Sequence, residues 1–389
     1  MTHIPMTVDS SSQFVAVFAP SFPPFFLGGG PARTLVALVR EAPIRFRMDV
    51  LTPDRDHGGE SRLNVPSNSW TQTERAHIYY VSANKWGRLA RGYVTVRQRR
   101  PDILYFNSFF NLRMSIIPQI LAKLWFWGTV RILLAPRGEF DEGALALRPR
   151  KKRIYLRVYK LLRLHKLVTW HASAEPEAQA IHRLWGGGAK VLVREDETSL
   201  PLQASDPSVH FGRLKAVFLG RISRKKGLLV VLQALEETNA ELEIDIYGPD
   251  EDQVYVRECQ QAARRLPPNV VVRFRGPIQA EMVRDSLQEY DVMLMPTFGE
   301  NFGHVIAEAL SVSCPVMCSS TTPWTQHLRA GGGVVVDEGT NPRQWRKAIE
   351  NYAALAPGER KALRLAAGAI YNTWRSSPKG PHVFSLFLG

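Results

Sequence analysis

Short β-branched or aromatic runs alternate along the chain with amphipathic segments of helix length, a rhythm that predicts parallel sheets flanked by helices. In the first half the strand signals cover residues 14–19, 45–51, 78–81, 103–107, 130–135 and 167–171. A polar stretch over 200–211, with Pro201, Ser205, Asp206, Pro207 and Ser208, breaks the alternation and reads as a linker. The rhythm then restarts, with strands over 216–219, 242–247, 270–274, 292–295, 315–318 and 334–336 and helices over 228–237 and 305–311. The expected fold class is α/β, two facing Rossmann-like domains, with residues 1–205 forming one and 206–389 the other.

Length agrees, since 389 residues exceed what one core usually supports. Cys259, Cys314 and Cys318 are too few for a disulfide framework and lack the partners of a zinc site. These cysteines, with no basic segment ahead of an apolar stretch at the N-terminus, predict a cytoplasmic protein without a secretory signal. The most apolar stretch, 115–135, is interrupted by Pro118, Lys123 and Arg131 and reads as a helix followed by a strand rather than a membrane span.

Charge changes the picture. The formal net charge is +14, and from Lys85 to Lys166 nineteen Lys or Arg residues face four acids. Such a region attracts phosphates: nucleic acid, anionic lipid headgroups or a pyrophosphate-linked substrate. Solvated helix faces are the plainer explanation.

In open α/β sheets the ligand lies beyond the carboxyl ends of the strands, which directs attention to three loops. Gly28-Gly29-Gly30 follows the first strand and opens a helix, where glycines let a phosphate or sugar approach the backbone. Its spacing departs from the dinucleotide pattern. Gly220-Arg221-Ile222-Ser223-Arg224-Lys225-Lys226-Gly227 follows the first strand of the second half; Arg221 offers two parallel hydrogen bonds to phosphate oxygens, and Lys225 or Lys226 a point charge. The segment from Phe298 to Leu310 holds Glu300 in a loop and Glu308 in the following helix, with the amides of Asn301, Phe302 and Gly303 at the helix start. Carboxylates there can accept hydrogen bonds from sugar hydroxyls.

On these motifs, together with Tyr247-Gly248, Phe274-Arg275-Gly276 and the run from Asp291 to Pro296, the second half resembles the family 4 glycosyltransferases, retaining enzymes of the GT-B fold. The resemblance implies a cleft between an N-terminal acceptor domain and a C-terminal nucleotide-sugar donor domain. It implies that Arg221 and Lys226 bind the donor phosphates, that Glu300 with the amides after it holds the transferred sugar, that Glu308 binds the ribose, and that Gly248 and Gly276 border the base. Gly29, Gly30 and Arg137 are the further donor-binding candidates. The first half looks like the family less specifically, through the glycine loop, Pro136-Arg137-Gly138 and Ala172-Ser173-Ala174-Glu175 with Glu177. Many members carry a histidine where this chain has Arg137, a departure shared with some makers of bacterial surface polysaccharides, lipopolysaccharide among them; Arg137 then serves as a contact to a donor sugar or an anionic acceptor, or as one half of a structural salt bridge. His171, His304 and His327 read as packed or surface residues. The tail from Arg375 to Pro381 breaks the helix that in this fold commonly crosses back to the first domain, so altered closure or a degenerate protein is one reading of it.

The expected function is transfer of a hexosyl group from a nucleotide-diphosphate sugar to a glycan or polyprenyl-linked acceptor, with no cofactor and no metal. The basic first half, with Trp125 and Trp127, suggests peripheral attachment at the inner face of the cytoplasmic membrane. Nucleic acid is not an expected partner, because no recognition module accompanies the charge. The alternatives are a nucleotide-sugar epimerase and a non-catalytic anion- or nucleic-acid-binding protein.

Overall fold

Strands buried on both faces make continuous apolar runs, and β-branched and aromatic residues fill them. A computed structural model describes residues 12–24, 29–55, 62–146, 149–208 and 212–389. Among these, the first sheet is built from β1 (Gln13–Phe18), β2 (Phe46–Pro53), β3 (Trp70–Gln72), β4 (Ala76–Val81), β5 (Ile103–Asn107), β6 (Arg131–Ala135), β7 (Val168–Ala172) and β8 (Val191–Val193). Their spatial order is β3-β4-β2-β1-β5-β6-β7-β8. Every pairing is parallel except that of β3 with β4. The second sheet comprises β9 (Leu214–Leu219), β10 (Leu242–Tyr247), β11 (Val270–Gly276), β12 (Val292–Met295), β13 (Val316–Ser319) and β14 (Gly333–Val336), parallel throughout in the order β11-β10-β9-β12-β13-β14.

The period of two along each strand divides the core into layers. Ala16 and Phe18 face one cluster while Val15 and Val17 face the other. In the second sheet Ala216 and Phe218 point one way, Val217 and Leu219 the opposite way. Helices cover both faces, so each sheet is doubly wound.

The chain divides into two compact units, one ending at Ser199 and rejoined by Lys379–Gly389, the other Leu200–Pro378. Two sequence expectations are corrected. The polar stretch after Leu200 is no free linker: Ser205 donates its amide to the Ser311 carbonyl at 2.9 Å, Ser313 Oγ donates to the Ser205 carbonyl at 2.6 Å, and the Tyr371 hydroxyl bonds the Pro201 carbonyl at 2.5 Å, all within the second unit. The boundary therefore precedes residue 205. The tail also returns to the first unit after its break. The helix Pro357–Ser376 ends, and a new helix, Val383–Leu388, buries Val383 and Phe384 in the first unit's core beside Phe46 and Tyr105. His382 caps this last helix by accepting from the Phe384 amide through Nδ1 at 3.3 Å, and its Nε2 donates to the Leu38 carbonyl at 3.1 Å.

Candidate functional site

The strand order of the second sheet reverses between β9 and β12, and in open α/β sheets it is beyond the carboxyl ends at such a reversal that ligands bind. The two loops leaving these strands are Gly220 to Gly227 and Pro296 to Gly303, the two richest motifs of the sequence. They are in direct contact. Gly227 has φ +69°, and a Cβ there would lie 1.9 Å from the Pro296 carbonyl oxygen, so only glycine lets the backbones meet. The Phe298 amide donates to the Lys225 carbonyl at 2.9 Å.

This contact sets one ion pair. Lys226 Nζ donates to Glu300 Oε1 at 2.5 Å, with the two side chains 14% and 12% exposed. Thr297 Oγ1 donates to the same carboxylate oxygen at 3.0 Å, and the methylenes of Lys226 lie against the bare face of Gly220. Burial pushes the Glu300 carboxyl up, but the Lys226 ammonium, assisted by Lys225 and the Thr297 hydroxyl, pulls it below the ordinary carboxylate range. A largely buried, fixed charge pair thus stands where the two loops meet.

Two further loops close in beside it. The Gly220 amide donates to the Tyr247 carbonyl at 3.0 Å and the Gly248 amide to the Gly276 carbonyl at 2.9 Å. Gly248, at φ +144°, passes so near that a Cβ would lie 1.9 Å from the Gly220 carbonyl oxygen. Glu308 is buried on the short helix His304–Leu310. Phe302 is also buried, in the second unit's core, and its carbonyl accepts from Trp324 Nε1 at 2.7 Å, so its ring is packing and only its backbone faces the loop chemistry. Gly303 is the left-handed residue that opens the helix, and Asn301 precedes it half-buried. Arg221 stands apart from the Lys226–Glu300 pair. Half-exposed, it donates to Glu251 at 2.6 Å.

Sequence reasoning missed Thr297, whose hydroxyl orients Glu300, and the pair Ser319 and Thr321, which both donate to the Thr297 carbonyl. Position offered the signal, because Thr297 lies at the carboxyl end of β12 and Ser319 ends β13.

In the first unit the corresponding reversal falls between β1 and β5. Gly28 lies outside the described residues. Gly29 and Gly30 open the helix Gly29–Arg40, held by Asn107 Nδ2 donating to the Pro31 carbonyl at 3.0 Å. Arg137, in the left-handed region at φ +56°, turns inward. Its guanidinium pairs with Asp196, donates to Asn107 Oδ1 at 2.8 Å and to the Tyr105 hydroxyl at 2.7 Å, and is only 3% exposed. Arg137 is therefore a structural centre here, and the donor-contact expectation yields to this three-partner network. Asp196 follows β8, a strand too short to read from the sequence.

The network continues: the Tyr105 hydroxyl lies 3.2 Å from His171 Nδ1, and His171 Nε2 donates to the Arg194 carbonyl at 3.0 Å. Burial, with Arg137 nearby, depresses His171 well below the usual imidazole range, so the ring is neutral. Glu177 fastens the same corner, accepting the Gly138 amide at 2.7 Å and the Ser173 amide at 2.8 Å. Trp127 is buried, its Nε1 donating to the Pro118 carbonyl at 2.9 Å, which removes it from the surface, whereas Trp125 is exposed. Among the described residues no group of three or more His, Cys, Asp or Glu is placed to hold a metal ion, and no helix is long and apolar enough to cross a membrane.

Similarity to known proteins follows this geometry. Residues 213–354 match the family described as glycosyl transferases group 1. Curated relatives include the D-inositol 3-phosphate glycosyltransferase of Xylanimonas cellulosilytica, 33% identical over 39% of this chain and 36% of that protein, and its namesake from Corynebacterium kroppenstedtii, 26% identical over 43% and 41%. The chain thus spans well under half the length of these relatives. Solved structures align almost end to end: sucrose-phosphate synthase from Thermosynechococcus elongatus at TM-score 0.71 (16% identity, 97% of this chain and 99% of that one) and Anabaena HepE in complex with UDP-glucose at 0.69 (16% identity, 95% and 96%). The chain has the two-domain GT-B fold, and its residues 213–354 are similar to the glycosyl transferases group 1 family.

Proposed function

We propose that the protein is a retaining glycosyltransferase that moves a hexosyl group from a nucleoside-diphosphate sugar, bound by the second unit, to an acceptor bound by the first. The observation that carries this reading is the largely buried Lys226–Glu300 pair at the strand-order reversal within the segment that matches the group 1 family. A departing nucleoside diphosphate develops negative charge on its bridging oxygen; a lysine already fixed beside the strand-order reversal stabilises that charge with little reorganisation. Arg221, released from its exposed pair with Glu251, adds a second cation. Glu300 holds hydroxyls of the transferred sugar, Glu308 the ribose, and the backbones at Gly248 and Gly276 border the base. The diphosphate oxygen accepts the acceptor proton. With two cations serving the leaving group, transfer is metal-independent, and activity surviving EDTA is the expected result.

A glycan or polyprenyl-diphosphate acceptor, used in cell-surface polysaccharide synthesis on the cytoplasmic side, fits the basic first unit. The names of the curated relatives favour a second acceptor, D-inositol 3-phosphate, which also carries the negative charge such a unit attracts.

Thermal unfolding with UDP, GDP, ADP, CMP and dTDP tests the donor site, because a ligand bound only by the folded state stabilises it by about 2.7 kcal/mol at a hundredfold excess over Kd. UDP and UDP-glucose come first, since HepE is bound to the latter. A selective shift lost in Lys226→Ala and Glu308→Ala supports the reading, and no shift with any nucleotide in folded protein sinks it.

A further inference from the structure

The helix Pro149–Leu161 in the first unit is anchored on one side only. Its Tyr159 hydroxyl donates to Gln119 at 2.5 Å, its Tyr155 hydroxyl donates to the Phe109 carbonyl at 2.8 Å, and its Lys152 ammonium sits 4.9 Å from the centre of the Phe110 ring. The opposite side shows Ile154, Val158 and Leu161, 60%, 47% and 81% exposed. Spacings of four and three residues put these three on a single stripe. Around it lie Arg150, Lys151, Arg153, Arg157 and Lys160, and the helix has no acid.

The stripe does not stop at the helix end. Lys123 Nζ donates to the Leu162 carbonyl at 2.7 Å, which brings the turn after the helix Ile117–Lys123 alongside. That turn presents Leu124 and Trp125, 69% and 72% exposed. A single exposed leucine is ordinary, but five large apolar side chains on two adjoining elements, three of them on a helix that carries five exposed cations and no acid, form an amphipathic surface. Cations alone would suit any polyanion. The apolar stripe gains only where a nonpolar phase lies just beneath the negative charge, and that is the structure of a lipid bilayer with anionic headgroups.

We infer that this face docks the first unit onto an anionic lipid bilayer surface. Ile154, Val158, Leu161, Leu124 and Trp125 enter the boundary between headgroups and acyl chains, while the neighbouring arginines and lysines take lipid phosphates. The contact goes beyond sugar transfer and holds whether or not the acceptor is lipid-linked, so the two readings fail separately.

Flotation of the full chain with vesicles of phosphatidylcholine plus phosphatidylglycerol, against phosphatidylcholine alone, at low and high salt, tests it. The expected result is binding to the anionic vesicles at low salt that weakens as salt rises. Arg153→Gln with Arg157→Gln lowers partitioning by about twentyfold or more, each cation at such a surface contributing roughly fivefold. Trp125→Ser, Ile154→Ser and Leu161→Ser together, which leave every charge in place, lower it by at least about tenfold. All five positions are solvent-exposed; unchanged thermal unfolding and an unchanged nucleotide shift certify that the variants are folded and the donor site intact. Failure to float at low salt, or flotation indifferent to both sets, overturns the proposal. So does a result in which the charge variant loses binding to duplex DNA and to vesicles alike while the apolar triple variant loses neither, since that describes a polyanion site without insertion.

Discussion

Replacing Lys226 by alanine isolates the pair on which the proposed donor site rests. Exposed ion pairs are worth less than about 1 kcal/mol, while removing one partner of a fully buried pair costs about 3–5 kcal/mol. With Lys226 and Glu300 at 14% and 12% exposed, Lys226→Ala falls just below the fully buried range, at about 2–3 kcal/mol, moderated by the Thr297 hydroxyl that stays on the carboxylate. Glu300→Gln removes the charge and keeps the shape, so it costs about 1–2 kcal/mol. In the double variant no buried charge is stranded, and a coupling of about 1.5 kcal/mol or more is expected. The pH dependence has a definite sign. In the wild type Glu300 is held below its ordinary range, so its contribution is present above that range and lost as pH falls through the depressed value. In Lys226→Ala burial acts with its main opponent gone and lifts the carboxyl, so protonation relieves the variant first and the gap from wild type narrows on acidification. Urea unfolding of the four proteins, followed through the second unit's transition near pH 7.5 and again near pH 4.5, reads both quantities. Additive single-variant effects, within about 0.5 kcal/mol, or a gap that widens in acid, would refute the account of this pair.

Three other outcomes are expected. Gly227→Ala must displace the Pro296 carbonyl from a 1.9 Å approach, so it should cost more than about 3 kcal/mol in unfolding experiments or separate the two loops and abolish nucleotide-dependent stabilisation. Arg137→Ala strands Asp196 and empties a three-partner network, which predicts a loss of about 3–5 kcal/mol in the first unit with nucleotide affinity of the folded protein unchanged; a selective loss of affinity would restore a donor role. His382, lowered to about 4 chiefly by burial, binds its proton more weakly folded than unfolded, so its stabilisation is complete above about pH 6.5 and is lost as pH falls towards 4, by up to about 3 kcal/mol. His382→Asn keeps a capping acceptor for the Phe384 amide and should flatten that part of the pH–stability curve, measured as the difference from wild type.

What the sequence discloses depends on how much of each signal is local. The runs 103–107 and 292–295 coincide with β5 and β12 because a strand buried on both faces is written as a nearly unbroken apolar run, and 242–247 coincides with β10 because Leu242, Ile244 and Ile246 alternate with Glu243 and Asp245. At the edges that signal fades. β3 and β8 are three residues each and only partly buried, and with β8 unrecognised the loop bearing Asp196 had no place in the reading. The candidate site divides along the same line. Lys226, Glu300, Gly227 and Gly248 sit in strand-to-helix loops whose glycines mark where backbones must meet, so composition and position identify them together. Arg137 was legible as a cation in such a loop, but its partners Asn107, Tyr105 and Asp196 come from three other elements, and only the assembled sheet shows whether a guanidinium points out to a phosphate or in to a carboxylate. The tail shows the same limit at larger scale: Pro378 and Gly380 do end a helix, yet the choice of which unit the following six residues join is made by Phe384 finding room between Phe46 and Tyr105, a pocket assembled from strands far apart in sequence. Local chemistry therefore specified the two contacting loops of the second unit nearly alone, whereas every correction came from a residue whose role is set by partners far from it in the chain.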